Sequence, residues 1–222
     1  MSKNTLPKEI IALPNIDKQF HEKWNQKRDM LNIAHPFRGV FLGPPNCGKG
    51  TVVTNILLRA KPEFEEIFVI HCDPEYTKEW ESIGATMLDD IPAPEEWEGL
   101  VKTLVILDDL EYKGMNKQTK RNLDRLWGFC STHKHISCCL LAQDAFNVPP
   151  IIRRCSNLWV LWKINDLDSM SACARKTGMK VDEFRYIFDN FIKDTHDSLW
   201  IDQTHKTPYP LRINGYNLLS YE

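Results

Sequence analysis

The chain has no apolar run near the roughly 18 residues that a membrane-crossing helix requires. Its opening residues, MSKNTLPKEI, lack the apolar centre of a secretion signal. There is no C-x-x-C pair among its seven cysteines, Cys47, Cys72, Cys130, Cys138, Cys139, Cys155 and Cys173. An odd number of cysteines in apolar surroundings suits reduced thiols in a cytosolic or nuclear compartment, and argues against a disulfide framework or a zinc site. His133 and His135 have no second ligand pair spaced to help them, so a surface or helix-end role is expected. No internal repeat or low-complexity tract is visible. The net charge is only −2, which excludes wholesale attraction to nucleic acid, so any contact with DNA needs a local basic patch.

What is present is 222 residues, 42% of them hydrophobic and 26% charged. That is enough for one α/β domain with a real core, or a domain with a small appendage. The polar, Pro-punctuated start reads as an N-terminal arm over 1–34, with an amphipathic helix expected around Asp17–Met30. Residues 35–222 read as the folded domain. Strand-like and helix-like stretches alternate there. Strands are expected at Val40–Leu42, Ile67–Cys72, Thr86–Leu88, Thr103–Asp108, Ile136–Ala142 and Leu158–Trp162. Helices are expected at Val52–Arg59, Thr77–Ile83, Pro94–Leu100, Lys117–Thr132, Asp166–Lys176 and Val181–Lys193. This alternation predicts βαβ units and a mainly parallel sheet covered on both faces. Ser198–Ile201 and Leu211–Ile213 read as a hairpin adding antiparallel edge strands.

The segment Gly43-Pro44-Pro45-Asn46-Cys47-Gly48-Lys49-Gly50-Thr51 fits the phosphate-loop pattern G-x-x-x-x-G-K between a strand and a helix. Glycines let the backbone turn N–H groups toward an anion, and the helix N-terminus adds partial positive charge. Lys49 supplies a full charge to the β- and γ-phosphates of ATP. The lysine is usually followed at once by a Ser or Thr whose hydroxyl holds Mg²⁺. Here Gly50 intervenes, so either Thr51 takes that role or the metal keeps an extra water.

The buried strand Leu104–Leu107 ends in Asp108-Asp109. Following a phosphate loop, such acids are expected to face the metal, Asp108 through water and Asp109 beside the γ-phosphate, polarising the attacking water. Gln143, at the end of the next strand, can reach both that water and the γ-phosphate. Arg153-Arg154 read either as a surface pair or as an arginine finger for a neighbouring subunit's nucleotide. Lys113, Lys117, Lys120, Arg121 and Arg125 form a basic group that suits DNA phosphates or a solvated helix face.

The order of these residues resembles a family. Pro36-Phe37-Arg38 precedes the loop, and the Asp-Asp strand and Thr132-His133-Lys134-His135-Ile136 come after it. Next come Leu141–Pro149, Ile152–Asn157, Ser198–Asp202 and Leu211–Asn214. Over roughly 35–215 the chain is similar to the poxvirus-type genome-packaging ATPases of the FtsK–HerA superfamily of P-loop NTPases. The resemblance implies a three-layer RecA-like α/β fold and a homo-oligomeric ring that uses ATP and Mg²⁺ to drive double-stranded DNA into a preformed capsid. It implies partners at the capsid vertex or among capsid proteins, and a location in the host cytoplasm, viral factory or nucleus, or with the virion. It carries Lys49 and Thr51 over as phosphate-loop residues, Asp108 and Asp109 as metal and water acids, Gln143 as γ-phosphate sensor, and Arg153 or Arg154 as the arginine after the sensor strand. Two departures stand out: Gly50 where Ser or Thr is usual, and Asp109 where Glu is frequent. The loop also looks like that of adenylate kinases, which would make the chain a phosphotransferase, but no D-G-F-P-R stretch or Arg-bearing lid is visible. A nucleotide-binding assembly scaffold is the non-enzymatic alternative, and the intact Lys49, Asp108 and Asp109 argue against it.

Overall fold

The computed structural model describes residues 28–71, 73, 78–204 and 207–219. Nine strands form one sheet in the order β3-β2-β4-β5-β1-β6-β7-β8-β9. These are β1 (Arg38–Leu42), β2 (Glu66–His71), β3 (Thr86–Leu88), β4 (Thr103–Asp108), β5 (Ile136–Ala142), β6 (Leu158–Leu161), β7 (Leu199–Asp202), β8 (Leu211–Ile213) and β9 (Asn217–Leu218). Every pairing from β3 across to β6 is parallel, and β6 through β9 pair antiparallel. The mainly parallel α/β sheet with antiparallel C-terminal strands is the fold read from the sequence, and β9 is a strand it did not reveal.

Alternation along the central strands sends side chains to two cores. On one face Val40, Leu42, Val105, Leu107, Cys138 and Leu140 meet the helical layer that carries Leu123, Trp127, Ile152, Cys173 and Phe184. On the other face Phe41, Leu104, Ile106, Cys139 and Leu141 pack with Val53, Ile56 and Trp80. A strand buried on both faces is mostly apolar, which is why Cys138–Ala142 reads as a continuous hydrophobic run within Ile136–Ala142. The helices are α1 (Lys49–Arg59), α2 (Lys78–Glu81), α3 (Lys117–Arg125), α4 (Ser131–His133), α5 (Pro150–Cys155), α6 (Leu167–Thr177) and α7 (Val181–Phe191). Asp166 caps α6 by accepting from the backbone N–H groups of Asp168 and Ser169, and left-handed Gly178 ends it.

Several boundaries differ from the sequence reading. The helix expected over Pro94–Leu100 is a single 3₁₀ turn, Pro94–Glu96. The Lys134 ammonium donates to the carbonyls of Pro94 and Trp97, and Gly99 is left-handed at φ 70°, so no α-helical ladder continues there. The helix expected over Lys117–Thr132 is interrupted by a π turn at Leu126–Cys130, between α3 and α4. Of the stretch Thr77–Ile83 only Lys78–Glu81 is helical, and Thr77 lies outside the described residues. Cys72 and most of the segment Asp17–Met30 also lie outside them, while Arg28–Met30 is not helical. Arg28 is tied to the domain through the Asp202 carboxylate at 2.8 Å, and Ile33 is buried in the core with Phe37. The described cysteines are all free thiols.

Candidate nucleotide-binding site

The site forms where β1, β4 and β5 end. Strand β1 stops at Leu42, and the Gly43 N–H donates to the Ala142 carbonyl of β5, which fixes the point where the loop leaves the sheet. Gly43 has no room for a side chain: a Cβ there would lie 2.6 Å from Trp162 Cβ and 2.8 Å from Cys47 Sγ. The chain then turns through two left-handed residues, Asn46 at φ 60° and Gly48 at φ 99°. Gly48 is the N-cap of α1, no side chain caps that helix, and its first turn contains no acid. An uncapped helix N-terminus with its partial positive charge exposed is a ready anion site. The Lys49 ammonium donates to the carbonyls of Gly43 and Pro44, at 2.7 and 2.8 Å, which holds it over the loop.

A pocket of about 330 Å³ opens beside this loop. Its walls include Lys49, Gly50, Thr51, Asp108, Asp109 and Gln143, so the phosphate loop and the acids of the sequence reading share one cavity. Pro45, Asn46 and Gly48 line it too, while Pro44 takes part through its carbonyl bond to Lys49 and Cys47 is buried. Burial pushes the Cys47 thiol up, against the opposing pull of Lys49, and its side chain packs in the core.

Asp108 ends β4 in register with His71 of β2. Desolvation raises its carboxyl above the usual range, and a hydrogen bond from Trp80 Nε1 to Asp108 Oδ2 at 3.0 Å works in the opposite direction. Asp109 sits at φ 51°, its N–H bonded to the Leu141 carbonyl, which swings its side chain off the strand axis. There Gln143 Nε2 donates to both of its carboxylate oxygens, at 3.2 and 3.3 Å. The sequence placed Asp109 and Gln143 at neighbouring strand ends; their mutual bond is new.

The donor set suits a hard cation: the Asp108 carboxylate and the Thr51 hydroxyl line the same cavity. Among the described residues no group of three or more His, Cys, Asp or Glu side chains is placed to hold a metal.

Arg153 and Arg154 lie on α5 and outside this pocket. Arg153 is half-buried in the wall of a second cleft of about 690 Å³, which shares Asp109 with the first pocket. Its Nε has no hydrogen-bond partner among the described residues. Arg154 is exposed. The basic group spreads along α3 and the segment before it: Lys113, Lys117, Arg121 and Arg125 are exposed, and Lys120 is half-buried with its ammonium 5.1 Å from the Tyr112 ring centre.

Two neighbours of the phosphate loop escaped sequence reading. Trp80 was one residue of an expected helix, with nothing to mark its reach to Asp108. His196, from the segment before β7, lies with Nδ1 3.2 Å from the Cys47 carbonyl and joins the C-terminal strands to the loop. Scattered motif residues also prove to be structural. Arg38 donates to the Cys155 carbonyl and the Thr132 hydroxyl, and its N–H to Asn157, at 2.6, 2.8 and 2.8 Å. Asn214 accepts from the Ser198 N–H and donates to Asp197.

No protein-family model matches the sequence, and no curated protein matches it. Solved structures do. The genome packaging NTPase B204 from Sulfolobus turreted icosahedral virus 2, in complex with sulfate, is 13% identical with a TM-score of 0.61, over 85% of this chain and 100% of that one. The same protein with AMPPCP gives 15% identity and a TM-score of 0.57, over 80% of this chain and 96% of that one. The pCW3 conjugation coupling protein TcpA, in its monomer form with ATPγS, is 14% identical with a TM-score of 0.51, over 73% of this chain and 56% of that one. At such low identity the likeness concerns architecture: this chain has the α/β fold of these NTPases, with a phosphate loop at the end of a central strand of a mainly parallel sheet.

Proposed function

We propose that this protein is a P-loop ATPase that works as a ring-shaped motor, driving double-stranded DNA into a preformed capsid. The observation that carries the catalytic part is the convergence of Lys49, Thr51, Asp108, Asp109 and Gln143 on one cavity. The α1 N-terminus and Lys49 bind the phosphates of ATP, with Lys49 exchanging loop carbonyls for phosphate oxygens. Mg²⁺, held by Asp108 and Thr51, would supply positive charge against the phosphate oxygens. Asp109 orients and polarises the attacking water, and Gln143 holds Asp109 while facing the γ-phosphate. The DNA-packaging part is supported by the shared fold with a genome packaging NTPase and a conjugation coupling protein, and by the basic surface of Lys113, Lys117, Lys120, Arg121 and Arg125. Capsid proteins are the docking partners this reading requires.

Steady-state ATP hydrolysis by the purified protein, with and without double-stranded DNA, tests the reading. DNA-stimulated turnover that Lys49→Ala abolishes is expected. Conversion of ATP plus AMP to ADP would replace it with a phosphotransferase, and nucleotide binding without turnover would replace it with a scaffold. In the ring, Arg153 or Arg154 serves the neighbouring subunit's nucleotide, a role that contributes about 10³–10⁵-fold to turnover. Mixing Lys49→Ala subunits with Arg153→Ala or Arg154→Ala subunits is expected to restore hydrolysis at shared interfaces. Absence of rescue in confirmed mixed assemblies would leave the arginines as DNA contacts or surface charge.

A further inference from the structure

Trp80 occupies a telling place. It comes from α2, in the connection between β2 and β3, and is only 5% exposed. Its ring packs in the core beneath α1, yet its one polar atom reaches the nucleotide pocket and donates to Asp108 Oδ2. Asp108 has no other hydrogen-bond donor among the described side chains. The same ring lies over the loop residue that departs from the common pattern: a Cβ built on Gly50 would lie 3.9 Å from Trp80 Cζ2. In the common pattern a hydroxyl at that position holds Mg²⁺ together with the acid of the neighbouring strand. Here the hydroxyl is missing, and an indole N–H from a different element approaches the acid instead.

We infer that Trp80 is a positioning residue for Asp108, which with Thr51 is left to hold the metal where Gly50 offers no hydroxyl. It fixes the rotamer of Asp108 by occupying one carboxylate oxygen, so that the second stays free for the cation. This rests on the nucleotide-site reading above. An indole suits the task because it has one donor and no acceptor: it can hold a carboxylate without competing for the cation. Its bulk is locked by packing, so the donor is pre-organised rather than recruited on binding. A carboxylate hydrogen-bonded on one oxygen keeps the other free, which a cation partly coordinated by phosphates and water requires.

The test is a double-mutant cycle read by nucleotide binding rather than turnover. Affinity for a fluorescent ATP analogue is measured with Mg²⁺ and with EDTA, for wild type, Trp80→Phe, Gly50→Ser and the double variant. Phe keeps an aromatic wall and removes the N–H, at the cost of a smaller ring in the core. Loss of a hydrogen bond to a charged group corresponds to roughly tenfold. Trp80→Phe is therefore expected to cut the Mg²⁺-dependent gain in affinity about tenfold while leaving the EDTA value unchanged. Gly50→Ser should recover most of that loss in the Phe background and add little in wild type. A Phe variant with the wild-type Mg²⁺ gain, or strictly additive effects, would overturn the inference while leaving the nucleotide site standing. A wild-type protein that binds no nucleotide would overturn both. Should the Phe variant not fold, ¹⁵N indole resonances of the wild type answer the same question. Mg²⁺-nucleotide should shift one indole N–H signal, and Asp108→Ala should shift the same one. No signal responding to both would overturn the assignment.

Discussion

Two aspartates at opposite ends of the same sheet, Asp29 buried and Asp108 half-buried, are treated in opposite ways. Asp29 lies where the parallel strands begin. Its Oδ1 accepts from the N–H groups of Leu31 and Ile33, and its Oδ2 from His35 Nε2, all at 2.9 Å. Burial holds the His35 imidazole below its usual pKa, opposed by the Asp29 bond and aided by the nearby Lys102 charge. With the proton on Nε2, His35 Nδ1 can accept from the Ser137 hydroxyl at 3.4 Å, which closes the network. Asp108, where β4 ends, has a single hydrogen bond among the described residues, from Trp80, and a carboxyl pushed up by desolvation. A satisfied acid holds structure together, whereas an under-satisfied one keeps capacity for a ligand at a cost to the folded state.

The largest expected effect separates these two roles on the side of stability. Asp29→Ala strips two backbone N–H groups and a buried imidazole of their acceptor. A loss of about 3 kcal/mol is expected from the unpaired groups. Denaturant unfolding measures it, and the folded fraction should bind nucleotide like the wild type. An unfolding midpoint within error of wild type would mean that the network at this end contributes nothing.

The converse is expected at Asp109, whose carboxylate is met, among the described residues, only by the Gln143 amide at the mouth of the pocket. Asp109→Asn should lower ATP turnover by about 10²-fold or more through loss of the water-polarising base, with unchanged nucleotide affinity and unfolding midpoint. Unchanged turnover would transfer the role to Gln143. A large fall in stability would instead make Asp109 a structural acid like Asp29 and erase the contrast.

The contrast also marks what a sequence can disclose. The strand at Thr103–Asp108 was legible to the residue because burial on both faces leaves an uninterrupted apolar run that ends where the polar site starts. The turn from Gly43 to Thr51 was legible as one unit because the phosphate-loop pattern sets glycines and a lysine at fixed spacing between a strand and a helix. Asp108, Asp109 and Gln143 followed as residues at the ends of strands. The helix expected at Pro94–Leu100 failed because a distant ammonium, Lys134, takes its carbonyls. The bond from Trp80 to Asp108 spans 28 positions and that from His196 to Cys47 spans 149. Neither has a periodicity to betray it. Asp29 was invisible for the same reason: its partners are backbone N–H groups and a histidine whose burial only the fold creates.

The smallest expected effect lies within Asp108 itself, and it runs against the usual direction for a mutation in a buried site. Its folded-state pKa is raised, so the folded form binds the carboxyl proton more tightly than the unfolded chain does. The stability linked to this group is therefore full below the ordinary carboxylate pKa and is lost as pH rises through the raised value. Asn keeps an oxygen able to accept from Trp80 Nε1 and carries no charge to desolvate. Without nucleotide, Asp108→Asn should match the wild-type melting temperature at acidic pH and exceed it slightly at pH 7, the gap opening as pH climbs out of the carboxylate range. With Mg²⁺ and ATP the order should reverse, because only the carboxylate gains from the cation and ligand binding stabilises the form that binds. Paired melting curves at both pH values, with and without Mg²⁺-ATP, give the four numbers required. If Asp108→Asn is less stable than wild type at pH 7 in the absence of ligand, Asp108 belongs with Asp29 as an acid that the fold needs.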